Sequence, residues 1–168
     1  QLIMKRTGLF PGSFDPVHYG HLDIAFRAAK LFDHLVIGVY ASPEKKNVTF
    51  SLEERIEMVQ EVVRSYPNIE VLGYSGLTVE FAKKIGASVM VRGLRVFSDF
   101  DYEFKMALAN QQIRPEIETI SLITHHSFMF LSSSMVKEIV ANHGDPRNMI
   151  PPHVLRRFQA KFFTEKND

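Results

Sequence analysis

The chain has 168 residues, a hydrophobic content of 45% and nearly balanced charges, with 20 Lys and Arg against 19 Asp and Glu. This size and this hydrophobic content predict one globular domain with a proper core. A net charge of +1 argues against the broad basic surface of a general nucleic-acid binder and favours a local site for any polyanion. Because there is no cysteine, disulfides, thiolate metal sites and cysteine nucleophiles are excluded, which indicates a cytoplasmic protein.

No apolar run in the sequence reaches the roughly 20 residues that a membrane-spanning helix needs, so we expect no membrane partner. The residues before Met4 are too few for a signal peptide. We interpret Gln1–Ile3 as an extension, left from cloning or from a variant start site, and treat 1–168 as one domain.

Short apolar runs typical of buried strands alternate with segments in which apolar residues recur at helical spacing. Ser51 and Glu54 have the spacing of a capping box, in which each side chain binds a free backbone N–H at a helix start. Gly86 marks a helix end, because glycine readily adopts the left-handed conformation found there. In chain order, the predicted elements are a strand at 7–10, a helix at 22–32, a strand at 35–41, a helix at 51–65, a strand at 69–73, a helix at 79–85, a strand at 88–91, a helix at 100–112, a strand at 119–124, a helix at 135–142 and a last helix from 151.

This alternation predicts an α/β fold, a single doubly wound Rossmann-like domain whose five-stranded parallel sheet has helices on both faces. We expect the strand order 3-2-1-4-5, in which strands one and four are neighbours where the order reverses. Ligands of such sheets bind beyond the carboxyl ends of the strands at that point. The segments after strands one and four should therefore face each other across a crevice.

The segment from Phe10 to His21 joins the first strand to the first helix and carries the strongest chemical signal. A helix start presents unpaired N–H groups, and His18 and His21 beside it can donate hydrogen bonds to phosphate oxygens. Gly20 allows a phosphate to approach the backbone closely. The alternative is a plain surface turn, but two histidines, two glycines and the Ser13 hydroxyl in one connection favour an anion site.

His18-Tyr19-Gly20-His21 resembles the H-x-G-H signature of the nucleotidylyltransferase superfamily, in which the histidines bind ATP phosphates. Three further segments, each at a predicted strand end, resemble their counterparts in the phosphopantetheine adenylyltransferases. They are 41–46, 92–95 with the downstream 99–103, and 127–134, and the likeness runs from about Thr7 to Phe162.

The resemblance implies an enzyme that transfers the adenylyl group of ATP to 4′-phosphopantetheine, giving dephospho-coenzyme A and pyrophosphate. It implies a catalytic set of His21, Lys45 and Ser13, and acceptor contacts from Ser13, Lys45, Thr78, Arg92 and Asn110. This chain departs from the family pattern at Thr78 and Phe128. The implied ATP-binding residues are Ser13, Phe14, His18, His21, Gly93, Leu94, Arg95, Glu103, Phe128, Met129, Phe130, Leu131, Ser132, Ser133 and Ser134.

The resemblance also implies partners and a cofactor. Mg²⁺ should arrive with ATP, because the sequence shows no dense carboxylate cluster for a protein-held metal. A homohexamer and feedback binding of coenzyme A in the same site are further implications. We expect no nucleic-acid partner, since the charge is balanced and the sequence has no K-M-S-K-S segment of a synthetase-like RNA-binding module.

Other interpretations stay open. Lys45–Lys46 has the composition of a solvated charge run, Arg92 and Arg95 have Asp99 and Glu103 as alternative partners, and the serine run before the fifth helix suits helix capping. The rival functions are another adenylyltransferase, such as one acting on nicotinamide mononucleotide, a cytidylyltransferase, and a non-catalytic sensor of adenine nucleotides.

Overall fold

A computed structural model describes residues 5–41 and 48–163. Its strands are β1 (Thr7–Gly12), β2 (His34–Tyr40), β3 (Ile69–Tyr74), β4 (Val89–Leu94) and β5 (Glu118–Ile123). Its helices are α1 (Tyr19–Ala29), α2 (Leu52–Val63), α3 (Thr78–Lys84), α4 (Phe97–Ile113), α5 (Ser133–Ala141) and α6 (Pro152–Phe163), with a 3-10 helix at His126–Phe128. The strands form one parallel sheet in the order β3-β2-β1-β4-β5, which confirms the predicted fold class and strand order.

Each inner strand supplies side chains to two cores, because successive residues of a strand point to opposite faces of the sheet. Phe10 and Ile37 pack in a core that includes residues of α1, α2, α5 and α6. Their neighbours Leu9 and Val36 pack in a second core with α3, through Val79 among others. Helices therefore cover both faces of the sheet, as predicted.

The first helix differs from its prediction at both ends. It begins at Tyr19 instead of Leu22, because His18 is the N-cap and its ring accepts a hydrogen bond from the backbone of His21. Histidine is not among the favoured capping residues, so the sequence pattern placed the start too late. The helix ends at Ala29, and Phe32, predicted to be helical, lies beyond it.

The fourth strand is longer than predicted and α4 begins earlier. Residues 92–94, predicted to follow the strand, lie within β4 because they pair with 121–123 of β5. Sequence periodicity could not show that pairing partner. Helix α4 begins at Phe97 instead of Phe100, which puts Asp99 in its first turn. The Arg92 side chain is therefore positioned by a strand, and Arg95 lies in the short connection to α4.

Several predicted boundaries are confirmed. Ser51 and Glu54 form the predicted capping box, with donor–acceptor distances of 3.1 and 2.7 Å. Gly86 follows α3 in the left-handed conformation, with φ of 72°. The structure adds the 3-10 helix, which was not predicted. Within the two described ranges, no helix combines the length and the apolar character needed to cross a membrane.

Candidate active site

The candidate site lies at the carboxyl ends of β1 and β4. These strands pair through Gly8 with Val89 and through Leu9 with Met90, so the later residues of both strands can line cavities between them. Two cavities open there. They share a wall made by Pro11, Gly12, Arg92 and Glu103.

The first cavity, called the histidine cavity below, has a volume of about 290 Å³. Residues from the β1–α1 connection, from β4 and from the start of α5 line it, so three segments far apart in the sequence meet there. Besides the shared wall, its lining residues are Phe10, His18, Gly20, His21, Ile24, Gly93, Arg95, Asp99, Thr124, Leu131, Ser132 and Ser133.

The second cavity, called the tyrosine cavity below, has a volume of about 480 Å³. It lies on the other side of the shared wall, between the ends of β2 and β3 and one face of α4. Besides that wall, its lining residues are Ser13, Tyr40, Tyr74, Gly76, Leu77, Thr78, Met90, Tyr102, Met106, Ala107, Asn110 and Thr119.

His18 and His21 cap the start of α1 reciprocally. The His21 N–H donates to Nδ1 of His18 at 3.3 Å, and the His18 N–H donates to Nδ1 of His21 at 3.2 Å. The two rings stack with centroids 3.6 Å apart. Gly20 makes this possible, because a Cβ at that position would lie 2.9 Å from the His18 ring. The signature residues are therefore a structural cap as well as part of the cavity wall.

The capping bonds also fix which ring nitrogen carries the proton. In each histidine Nδ1 accepts a hydrogen bond, so in the neutral ring the proton lies on Nε2. Burial, with the positive charge of Arg95, lowers the pKa of His18 to about 3. Burial, helped by His18 and the two arginines, also holds the pKa of His21 well below its ordinary value. Both histidines are therefore neutral donors through Nε2–H at physiological pH.

Arg92 and Arg95 are each held by a carboxylate from α4. Nε and Nη2 of Arg92 both lie 2.9 Å from Glu103, while Arg95 binds Asp99 and donates to the carbonyl of Leu131 at 2.6 Å. Burial opposes the charge of Arg92, but the bonds and charge of Glu103 outweigh it and raise its pKa. The structure thus confirms Asp99 and Glu103 as partners of the two arginines. These carboxylates orient both guanidinium groups at the histidine cavity.

The start of α5 reaches the same cavity. Ser132 is its N-cap and accepts a hydrogen bond from the N–H of Met135 at 3.1 Å. The Ser133 hydroxyl donates to the carbonyl of Pro16 at 2.9 Å, which ties α5 to the β1–α1 connection. The predicted capping by the serine run is therefore present. Two helix N-termini, those of α1 and α5, meet at one cavity, and each favours a bound anion.

The structure brings most of the predicted site residues together, and it divides them between the cavities. Arg92, Ser13, Thr78 and Asn110 line the tyrosine cavity. Lys45 lies outside the described residues, as does the interpreted extension Gln1–Ile3. Predicted ATP-binding residues that line the histidine cavity are His18, His21, Gly93, Arg95, Glu103, Leu131, Ser132 and Ser133. The other predicted ATP-binding residues are not part of its lining: Ser13, Phe14, Leu94, Phe128, Met129, Phe130 and Ser134.

Sequence reasoning missed part of the tyrosine cavity wall. Tyr102 and Met106 lie one turn apart on the α4 face that also carries Glu103 and Asn110. That spacing was visible in the sequence, because residues three or four apart share one face of a helix. Tyr74, whose hydroxyl lies 2.9 Å from the Thr78 hydroxyl, gave no such signal, since only the sheet topology brings the end of β3 to this cavity.

Comparison with known proteins identifies the family. Residues 9–139 match the model of the cytidylyltransferase-like family. A phosphopantetheine adenylyltransferase from Caldanaerobacter subterraneus subsp. tengcongensis is 48% identical over 157 residues, which cover 94% of this chain and 98% of the relative. One from Heliobacterium modesticaldum is 46% identical over 156 residues, covering 93% of this chain and 92% of the relative.

A solved structure shows the same fold at low identity. A protein assigned as a nicotinate-nucleotide adenylyltransferase from Vibrio parahaemolyticus superposes with a TM-score of 0.70 and 16% identity, covering 92% of this chain and 99% of that one. At that identity the likeness concerns the fold alone. The sequence relatives, which align over nearly their whole length, place the chain more narrowly. The chain belongs to the cytidylyltransferase-like family and, within it, to the phosphopantetheine adenylyltransferases.

Proposed function

We propose that this protein transfers the adenylyl group of ATP to 4′-phosphopantetheine, giving dephospho-coenzyme A and pyrophosphate. One observation carries the proposal: two helix N-termini, two neutral histidine donors and two oriented arginines converge on a cavity that adjoins a second, larger one. Two phosphorylated substrates can therefore meet at the shared wall. The relatives named phosphopantetheine adenylyltransferase identify the acceptor.

The reaction needs positioning and charge neutralisation more than a general base, because the acceptor phosphate is already an anionic nucleophile. One of its oxygens attacks the α-phosphorus in line, a new P–O bond forms, and the bond from the α-phosphorus to the pyrophosphate oxygen breaks. His18 and His21 donate through Nε2–H to phosphate oxygens, and His21 stabilises the charge that grows on the α-phosphate. Lys45 is proposed as the third stabilising group, as the resemblance implies.

The tyrosine cavity is the proposed acceptor site. Arg92 on the shared wall offers a cation to the acceptor phosphate, while Asn110 and the Thr78 hydroxyl offer polar contacts to the pantetheine arm. Ser13, which lines this cavity next to the shared Gly12, is proposed to contact both substrates. The histidine cavity then holds the ATP phosphates, with Ser132 and Ser133 at the second helix start.

Magnesium is proposed to enter with ATP. Among the described residues, no group of three or more His, Asp or Glu side chains could hold a metal ion. The two carboxylates nearest the site, Asp99 and Glu103, are bound to arginines. When bound, Mg²⁺ would neutralise the departing pyrophosphate. The ATP phosphates are therefore its proposed ligands.

Three further properties are proposed from the resemblance: assembly as a homohexamer, feedback binding of coenzyme A at the acceptor site, and a cytoplasmic location. The lack of cysteine supports the location. The apolar outer surface of α4 supports assembly, because this helix has no buried residue, and Phe97 and Phe104 are 98% and 52% exposed.

The proposed reaction is tested with ATP labelled at its α-phosphate. Label should pass into dephospho-coenzyme A only when 4′-phosphopantetheine is present, and label in the γ-phosphate should leave as pyrophosphate. A product that carries the γ-label, or no transfer of the α-label, would contradict adenylyl transfer.

A further inference from the structure

Arg55 of α2 is buried and does not line either cavity, yet its guanidinium binds three separate stretches of backbone. It is 3% exposed, and Nη1 donates to the carbonyl of Ser13 at 2.7 Å and to that of Tyr40 at 2.8 Å. Its Nε donates to the carbonyls of Phe50 and Ser51 at 3.2 and 3.3 Å. One side chain therefore joins the β1–α1 connection to the end of β2 and to the start of α2.

Asp15 supplies hydrogen-bond acceptors to the same region in which Arg55 supplies donors. Its side chain is 8% exposed and accepts the N–H groups of Thr49 and Phe50, both at 2.9 Å, and the Lys137 ammonium at 2.6 Å. The backbone of Phe50 is thus held at both ends, since its N–H donates to Asp15 and its carbonyl accepts from Arg55. The Phe50 ring is itself fully buried against Phe158.

Phe14 lies between the two held residues and has an unfavourable backbone conformation. Its φ is 48°, in the left-handed region that a non-glycine residue adopts only when its surroundings enforce it. Ser13 before it is held by Arg55, and Asp15 after it is held by Phe50 and Lys137. The Phe14 ring packs edge-on against His21, with centroids 4.8 Å apart. The held backbone therefore connects Ser13 in one cavity to a histidine in the other.

We propose that Arg55 and Asp15 are positioning residues for adenylyl transfer, which fix the backbone on both sides of Phe14 and thereby the placement of Ser13 and His21. The proposal rests on the proposed function, because only a reaction at these cavities gives the placement a consequence. Neither residue lines either cavity, so neither is expected to touch a substrate.

Arg55→Lys and Asp15→Asn test the proposal separately. Lysine keeps the charge but presents a single ammonium that cannot span the carbonyls of Ser13, Tyr40 and Phe50 together. We expect both folded variants to lose kcat about tenfold to a hundredfold through misplacement of the reacting groups, with little change in ATP affinity. Hydrogen exchange of the backbone at 11–17 should be faster in both variants. If Arg55→Lys does not fold, Asp15→Asn is judged by the same two measurements.

Val63→Ala is the matched control, because Val63 is a buried residue of the same helix and is only 3% exposed. This variant should be less stable but keep normal kcat and normal exchange at 11–17. A second check combines Arg55→Lys with Ser13→Ala: because Arg55 acts partly through the placement of Ser13, the loss of kcat in the double variant should be smaller than the product of the two single losses.

Normal kcat with normal exchange in both Arg55→Lys and Asp15→Asn would overturn the proposal. So would an equal loss of kcat in Val63→Ala, because it would reveal an effect of stability alone. The exchange measurement needs no turnover. If the wild-type protein formed no product from ATP and 4′-phosphopantetheine, the proposed function would fail while exchange still decided whether the two residues fix this backbone.

Discussion

His21 combines two tasks that the sequence could not separate. Its predicted place at a helix start was nearly right, but the structure shows it as the third residue of α1, accepting the His18 N–H through Nδ1 and leaving Nε2–H for a ligand. A histidine used in this way cannot be replaced by alanine without losing a cap. Two different substitutions are therefore needed to separate the effect on the helix cap from the effect on the reaction.

We expect His21→Asn to lower kcat about a hundred- to a thousandfold while the fold keeps its stability, because Oδ1 can replace Nδ1 as the cap acceptor but nothing replaces Nε2–H. His21→Ala should show a similar loss of kcat and also lose about 1 kcal/mol of stability with the cap. Steady-state kinetics and denaturant unfolding measure the two effects. A folded His21→Asn protein with near-normal kcat would remove this residue from the mechanism.

Arg92 lines both cavities, and its guanidinium is oriented by two bonds to Glu103. Arg92→Lys keeps a charge but loses this two-pronged geometry, so the acceptor phosphate should bind less well. We expect a weaker affinity for 4′-phosphopantetheine and a nearly unchanged affinity for ATP in calorimetric titrations. Normal acceptor binding with lost ATP binding would reverse the assignment of the two cavities.

At the scale of elements, the buried His18 that caps α1 should make the free energy of unfolding depend on pH. The unfolded chain protonates His18 below its ordinary pKa of 6.5, whereas the folded protein keeps the ring neutral down to about pH 3. The neutral His18 ring therefore makes its full contribution to stability above pH 6.5, and this contribution is lost as the pH falls toward 3. One pKa unit corresponds to about 1.4 kcal/mol, so the loss should be on the order of a few kcal/mol.

Unfolding free energies between pH 7.5 and 4.5 check this expectation. His18→Asn keeps a good capping residue and removes the titrating ring, so its stability should fall less steeply than that of the wild-type protein. His126→Gln, at an exposed histidine outside the cavity linings, is the control and should follow the wild-type curve. Parallel curves for His18→Asn and wild type would show that the ring is not held neutral.

Element boundaries were predicted well where the sequence uses common signals and badly where tertiary pairing decides. The capping box of Ser51 and Glu54 and the glycine stop at Gly86 follow local rules, and both are confirmed. The histidine cap of α1 and the extension of β4 through Arg92 depend on an unusual cap and on pairing with β5. Short-range patterns contain no information on that strand partner.

At the scale of the whole molecule, strand order alone brings the site together. The order 3-2-1-4-5 puts the ends of β1 and β4 side by side, so residues around 20, 92 and 132 meet at one cavity although the sequence separates them widely. The approach of the first two segments was predicted from topology, whereas the segment around 132 was assigned from the family resemblance. The division into two cavities with a shared wall was not predicted, because it depends on how the Arg92 and Glu103 side chains pack.

The apolar surface of α4 gives a test of assembly. Phe100, Phe104 and Leu108 follow at intervals of four residues and are each about half exposed, and the first two rings stack with centroids 5.7 Å apart. An exposed apolar stripe of this kind marks an interaction surface. We expect sedimentation to show a homohexamer, and Phe104→Glu to dissociate it. Leu31→Glu, at an exposed leucine elsewhere, should leave it intact. Single wild-type chains at micromolar concentration would contradict the assembly.

The identity of the acceptor is the central claim, and one measurement addresses it most directly. ATP is offered in parallel with 4′-phosphopantetheine, nicotinamide mononucleotide or glycerol 3-phosphate, and pyrophosphate release is followed. The two-cavity site of a phosphopantetheine adenylyltransferase should release pyrophosphate with 4′-phosphopantetheine and form dephospho-coenzyme A. Release only with nicotinamide mononucleotide or only with glycerol 3-phosphate would contradict the account, and no release with any acceptor would favour a nucleotide sensor.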